Sequence, residues 1–165
     1  MDQPMSAPKL SIIVTSYNIE AYIEECLTSI VEQTFVNSEI IVVDDGSSDR
    51  SPEIIRSIAA SNDRVVPILL DANSLGGVAT AANVGLDRAT GEYVGFADGD
   101  DVYDRDMFRK LFEVAERHDA DLAMCDYLVL DEQSKELSPP ADAGRWAELG
   151  SELYVLDSAE SRKRF

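Results

Sequence analysis

The sequence predicts an α/β fold built on a mostly parallel sheet flanked by helices. Short apolar runs alternate with stretches whose apolar residues recur at helical spacing, the order that yields parallel strands joined by crossover helices. Two of those runs, Ile41-Val42-Val43 and Val94-Gly95-Phe96-Ala97, end in Asp-rich turns. Paired strand ends of that kind point to one crevice at the carboxyl edge of a sheet.

Lys9-Leu10-Ser11-Ile12-Ile13-Val14 reads as a buried first strand, ended by Thr15-Ser16-Tyr17-Asn18. Asn18 is suited to cap a helix that runs to about Gln33, with Glu20 in its first turn near the positive dipole end. Ile23, Cys26, Leu27, Ile30 and Val31 give that helix one apolar face. Glu39 to Val43 is the second strand, and Asp44 to Asp49 is the loop beyond it. Ser51-Pro52-Glu53 starts a second helix, with Ser51 as cap and Pro52 at the first helical position. Val65 to Leu70 is a third strand, which Pro67 assigns to an edge.

Val78 to Ala89 reads as a helix of small residues, able to approach the sheet or a ligand closely. Tyr93 to Ala97 is a fourth, buried strand, and Met107 to Ala115 has the spacing of an amphipathic helix with His118 in its last turn. A fifth strand is expected within Asp121 to Leu130, then a mobile loop from Asp131 to Gly144 around Pro139-Pro140. Trp146, Leu149, Leu153 and Val155 form an apolar set suited to packing back on the core, and Ser158 is suited to cap a terminal helix.

With 165 residues, 45 % of them hydrophobic, the chain has material for one full core. Acidic residues outnumber basic ones 32 to 14, for a net charge of −18. Such a field repels nucleic acid and anionic membranes. It also repels a nucleoside diphosphate, unless a bound cation reverses the local sign. Cys26 and Cys125 form no CxxC pair and read as small core residues in a reducing compartment, with a disulfide as the minor alternative. His118 is the only histidine, so a His-rich zinc site is excluded, and a Ser-His-Asp triad is excluded unless that residue serves. Met1 to Lys9 has no apolar core of a signal peptide, and no apolar run approaches the ~20 residues of a membrane span. These features predict a cytoplasmic protein without an integral membrane segment. Arg162-Lys163-Arg164 offers three charges for peripheral contact at the membrane's cytoplasmic face, although so few charges at a terminus are more often simply solvated.

Asp98-Gly99-Asp100-Asp101 gathers three carboxylates within four residues. They repel one another unless solvent, protons or a cation intervene, and Mg²⁺ or Mn²⁺ prefers such oxygen ligands. The plain alternative is a solvated acidic turn; the second acidic strand end, Asp44-Asp45-Gly46, shifts the balance toward a metal. An EF-hand is excluded, because Val102 and Tyr103 stand where Asp/Asn and Gly are required, and Arg109 where Glu is required.

The ordered set Val14-Thr15-Ser16-Tyr17-Asn18, Ile41-Val42-Val43-Asp44-Asp45-Gly46-Ser47 and Phe96-Ala97-Asp98-Gly99-Asp100-Asp101 resembles the family 2 glycosyltransferases of the GT-A fold. Ala82-Asn83-Val84-Gly85-Leu86 and Ala89-Thr90-Gly91-Glu92-Tyr93 also match, and the resemblance covers Lys9 to Val129. It implies a donor-nucleotide site formed by Thr15, Tyr17, Asn18, Asp45 and Asp98. Thr15 and Tyr17 match nucleobase-pocket positions, with the Tyr17 ring stacked on uracil, its plain alternative being a strand-end aromatic packed on the core. Asp45 matches the acceptor of the uracil N–H, its plain alternative being an Asx-turn, while Asp44 supports the loop. Asp100 matches a direct metal ligand and Asp98 a ribose or metal-water contact, with direct ligation also open to it.

The implied function is metal-dependent, inverting transfer of a sugar from a nucleotide donor, UDP-linked, to an acceptor hydroxyl, as in cell-wall or polysaccharide biosynthesis. The implied partners are the nucleotide sugar and a carbohydrate or lipid-linked acceptor. Residues 1–8 are then a disordered or extended N-terminus, and 9–130 are the nucleotide-sugar-binding core. Residues 131–165 are a loop and C-terminal segment that begin a truncated acceptor half. Two departures stand out. Ala82 precedes Asn83 where many relatives carry Arg, and no Glu-Asp pair follows the fifth strand to supply an acceptor-activating base. Asp131, Asp142 and Glu148 sit in no matching motif, so no catalytic base is assigned. The alternative function is a module that holds the donor without transferring its sugar. A phosphoacceptor receiver domain fits worse, because the acidic pair follows the second strand and the late Thr and Lys positions are unfilled.

Overall fold

A computed structural model describes residues 8–141. The chain divides into two units, Met1–Phe112 and Glu113–Phe165. The first holds a four-stranded, wholly parallel sheet of order β3-β2-β1-β4, formed by β1 (Leu10–Ser16), β2 (Ser38–Asp44), β3 (Val65–Leu69) and β4 (Tyr93–Asp98). The connecting helices are α1 (Ile23–Val31), α2 (Ser51–Ser61) and α3 (Gly77–Arg88); α4 (Met107–His118) follows β4. β3 is an edge strand, as Pro67 requires, since proline cannot donate to a ladder on both sides.

β1 and β2 are buried along almost their whole length because both faces of the sheet are covered. On one face Ile12, Val14, Ile40 and Val42 pack with Ile23, Leu27 and Ile30 of α1, Ile55 of α2 and Phe108. On the other, Ile13, Ile41 and Val43 pack with Ala81 of α3. α3 lies close to the sheet through its small residues. A Cβ on Gly85 would stand 2.4 Å from Ile13 Cγ2, so a larger residue there would displace the helix. Register brings the acidic strand ends to one edge: Ser16 pairs with Asp44, and Thr15 pairs with Asp98.

Several local expectations are corrected. α1 starts at Ile23 with Tyr22 before it, so Asn18 is no N-cap. Asn18 instead adopts φ 51°, a left-handed conformation that asparagine tolerates. Glu20 lies outside the helix, and Glu24 and Glu25 occupy its first turn. In α2 Pro52 holds its place in the first turn, but the cap is Arg50 with no side-chain bond, and Ser51 is buried inside the helix. β4 is not buried throughout. It is the outer strand of the sheet among the described residues, and Val94 and Phe96 are exposed.

In the second unit the expected fifth strand shrinks to β5 (Val129–Leu130), paired antiparallel with β6 (Leu137–Ser138). Along the expected strand Leu122, Met124 and Tyr127 are exposed, and Cys125 is likewise exposed instead of being a core residue. The expected mobile loop begins as an ordered turn, in which an Asp131 Oδ accepts the Gln133 and Ser134 amides. Trp146, Leu149, Leu153, Val155, Ser158, Asp142, Glu148 and the 162–164 basic patch lie outside the described residues. No helix among the described residues is long and apolar enough to cross a membrane.

Candidate functional site

A cleft of about 390 Å³ opens at the carboxyl edge of the sheet. Its walls come from the ends of three strands and the start of one helix: Thr15 and Tyr17 after β1, Asp45 after β2, Asp98 and Asp100 at β4, and Val78 of α3. This is the crevice that forms where the strand order reverses, here between β1 and β4. Five of the six site residues read from the sequence therefore line one cavity.

Asn18 is the exception. Its Oδ1 accepts the Ser48 amide at 2.8 Å, and its own amide donates to Ser47 Oγ at 2.8 Å. It fastens loops instead of lining the cleft. The same seam continues outward. The Ile19 amide donates to Ser51 Oγ at 3.1 Å, the Glu20 amide to Asp49 at 2.9 Å, and the Arg50 amide to the Glu20 carboxylate at 2.8 Å. The loop after β1 and the loop after β2 are thereby held as one piece, which fixes Tyr17 relative to Asp45. Tyr17 is 49 % exposed, so its ring faces the cleft region as a solvated surface and is not a core aromatic.

The two adjacent aspartates after β2 divide their tasks. Asp44 is buried and takes the Asx-turn role, accepting the Ser47 amide at 2.9 Å, the Ser47 hydroxyl at 2.6 Å and the Ser16 hydroxyl at 3.0 Å. Asp45, also buried, accepts the Ser74 amide at 2.9 Å, the Ser74 hydroxyl at 2.9 Å and Asn73 Nδ2 at 3.1 Å. The Asn73-Ser74 anchor has no signal in a single sequence, since it joins residues nearly thirty positions apart.

The turn at the end of β4 is tied to β1 and α1. The Gly99 amide donates to the Thr15 carbonyl at 3.1 Å, and a Cβ on Gly99 would stand 2.5 Å from that oxygen. Only glycine allows this approach. The Asp98 carbonyl accepts the Tyr103 hydroxyl at 3.1 Å, the Asp101 amide at 3.2 Å and the Cys26 thiol at 3.5 Å. Cys26 also lies on the apolar stripe of α1, and no local sequence pattern marks Tyr103.

The field around this turn is strongly anionic. Burial lifts the Asp101 carboxyl above its ordinary range, and the charges of Asp100 and Asp98 lift it further. Burial also pushes the Cys26 thiol up to about 12, with Asp101, Asp100 and Asp98 adding to the shift. Among the described residues no three His, Cys, Asp or Glu side chains form a cluster able to hold a metal alone. Two carboxylates on a cleft wall nevertheless fit an ion whose remaining ligands are phosphate oxygens and water, the usual arrangement for Mg²⁺. No Lys or Arg lines the cleft among the described residues.

Asp131, the one described candidate for an acceptor base, is held below its ordinary range by the Ser134 amide and the turn around it. Its carboxylate serves the hairpin.

The family model for glycosyl transferase family 2 matches residues 11–156. EpsJ of Bacillus subtilis strain 168, an uncharacterized glycosyltransferase, is 41 % identical over 133 residues, 81 % of this chain and 38 % of that protein. The glycosyltransferase GlyG of Streptococcus pneumoniae serotype 4 is 38 % identical over 123 residues, 74 % of this chain and 40 % of that protein. The chain thus spans about two-fifths of the length of these relatives. Among solved structures, S. aureus TarS 1–349 in complex with UDP-GlcNAc superposes with a TM-score of 0.62 at 34 % identity, over 67 % of this chain and 32 % of that one. The mannosyltransferase PcManGT from Pyrobaculum calidifontis, in complex with GDP-Man and Mn²⁺, gives 0.59 at 32 % identity, over 68 % of this chain and 33 % of that one. The shared part is the GT-A fold with its parallel sheet. By the reach of the family model and the identity of these relatives, the chain belongs to glycosyltransferase family 2.

Proposed function

We propose that this chain binds a nucleoside diphosphate sugar, UDP-linked, and that the protein transfers the sugar to an acceptor hydroxyl with inversion. The observation that carries the proposal is the placement of Tyr17 and Asp45 on the same cleft as Asp98 and Asp100. The Tyr17 ring offers a π-face to the base. The Asp45 carboxylate, held by Asn73 and Ser74, offers an acceptor that suits the imide N–H of uracil and not the N3 of cytosine. Asp98 and Asp100 would hold Mg²⁺ or Mn²⁺ against the two phosphates. When bound, the ion supplies Lewis-acid stabilisation of the charge on the departing diphosphate, worth several kcal/mol. The acceptor would be a carbohydrate or lipid-linked hydroxyl in cell-wall or polysaccharide synthesis, with the enzyme cytoplasmic or peripheral to the membrane's cytoplasmic face.

Calorimetric titration with UDP, with and without Mn²⁺, tests the donor site. Manganese-dependent heat is expected, and negligible heat in both titrations refutes it.

A second reading is a donor-binding module that does not transfer sugar by itself. The engagement of Asp131 in its own hairpin turn favours it, since no described carboxylate is then assigned to the acceptor. Metal-dependent UDP binding without donor hydrolysis or transfer supports this reading, and turnover by the chain alone dismisses it.

A further inference from the structure

Tyr103 sits five residues beyond Asp98 and is fixed at both ends. Its amide donates to Ser29 Oγ at 3.1 Å, and that hydroxyl donates in turn to the Cys26 carbonyl at 2.7 Å. Its ring packs on the core, 6.0 Å from the Phe108 ring at an interplanar angle of 31°, and Phe108 itself is buried. The ring thus has little freedom, and its hydroxyl reaches the Asp98 carbonyl at 3.1 Å. The same stripe of α1 continues past the helix end. The buried Gln33 donates to the Asp104 carbonyl at 2.7 Å and accepts the Phe108 amide at 3.2 Å. Cys26, Ser29 and Gln33 therefore bind the whole segment from Asp98 to Phe108 along one helix face.

We infer that Tyr103 is a positioning residue for the cation-binding turn: its hydroxyl holds the Asp98–Gly99 peptide plane, and so aims the Asp98 and Asp100 carboxylates into the cleft. The inference rests on the nucleotide-sugar reading of that cleft. The physical reason is the backbone at Gly99. Glycine fits the tight approach to Thr15, but it leaves the peptide freer to rotate than any other residue would. Three mutually repelling carboxylates on such a turn move apart unless something restrains the chain. Of the three donors to the Asp98 carbonyl, the thiol is weak and distant at 3.5 Å and the Asp101 amide belongs to the turn itself. The Tyr103 hydroxyl is the remaining donor, and its rigid ring is anchored outside the turn.

Tyr103→Phe keeps the ring and removes only the hydroxyl. UDP titrations over a series of Mn²⁺ concentrations, together with electron paramagnetic resonance of free Mn²⁺, provide the test. The Mn²⁺ concentration for half-maximal UDP binding is expected to rise about three- to tenfold, the span of one hydrogen bond in an equilibrium. UDP binding measured in chelator is expected to stay as in the unaltered chain. An unchanged Mn²⁺ requirement overturns the inference, whatever the melting temperature does. So does an equal loss of UDP binding with and without Mn²⁺, which marks a general loosening. If UDP binding by the unaltered chain does not depend on Mn²⁺, the cation role of the turn fails and takes the role of Tyr103 with it; if the chain binds no UDP with or without Mn²⁺, the nucleotide-sugar reading fails as well.

Discussion

Ser74 meets both carboxylate oxygens of Asp45, its amide reaching Oδ1 at 2.9 Å and its hydroxyl reaching Oδ2 at 2.9 Å. The loop before α3 is thus anchored to the end of β2 through a buried charge. Asp45→Asn turns one of those acceptors into a donor that faces another donor. A stability loss of about 1–3 kcal/mol is expected in chemical denaturation. UDP affinity is expected to fall at least about tenfold, a 1.4 kcal/mol effect, and the preference for UDP over CDP to shrink, as read by titration.

Asp100 is expected to separate binding from stability. Asp100→Ala should abolish the metal-dependent part of UDP binding, as a chelator does with the unaltered chain. The ligand-free protein should melt no lower than the unaltered one. Asp100 is one of the charges that lift the Asp101 carboxyl, so its removal relieves repulsion. Parallel melts and titrations check both halves.

Gly99→Ala tests the contact between β4 and β1. The added Cβ would stand 2.5 Å from the Thr15 carbonyl and 2.7 Å from Ile19 Cδ1. Overpacking of this kind costs about 1–3 kcal/mol, and the displaced turn should also weaken metal-dependent UDP binding. Denaturant melts and calorimetry report the two effects.

At the opposite edge of the sheet, Glu39 provides a pH signature. Burial alone would raise its carboxyl, but bonds from Ser11 and Thr90 and the charge of Arg88 outweigh it and hold the group below its ordinary value of 4.5. A carboxyl lowered in the folded state contributes stability above its unfolded pKa and loses it as pH falls through the folded one. The melting-temperature difference between the unaltered chain and Glu39→Gln should therefore be full at neutral pH and shrink as pH drops below 4.5.

What was legible in the sequence was what periodicity and local chemistry encode. The apolar runs at Ile12 and Ile41, the edge proline and the acidic strand ends all lie where their residue types require. What was illegible depended on partners distant in the chain. Asn18 has the side chain of a helix cap, but Ser47 and Ser48, across a loop, claim it first. Asp45 resembles an Asx-turn residue until Ser74 arrives from the next connection and Asp44 takes the turn. The run from Leu122 to Leu130 is apolar enough for a strand, yet pattern alone cannot supply a neighbouring strand, and only Val129 and Leu130 find one.

The absence of a basic side chain on the cleft wall among the described residues, in a chain of net charge −18, bears on the order of arrival. Under the proposed function, a bare nucleotide must climb a repulsive field before it meets any attraction. Added salt should then quicken capture by screening the approach, whereas at a lysine-lined pocket it slows it. A donor already complexed with its cation carries less negative charge and would meet a lower barrier than the free anion.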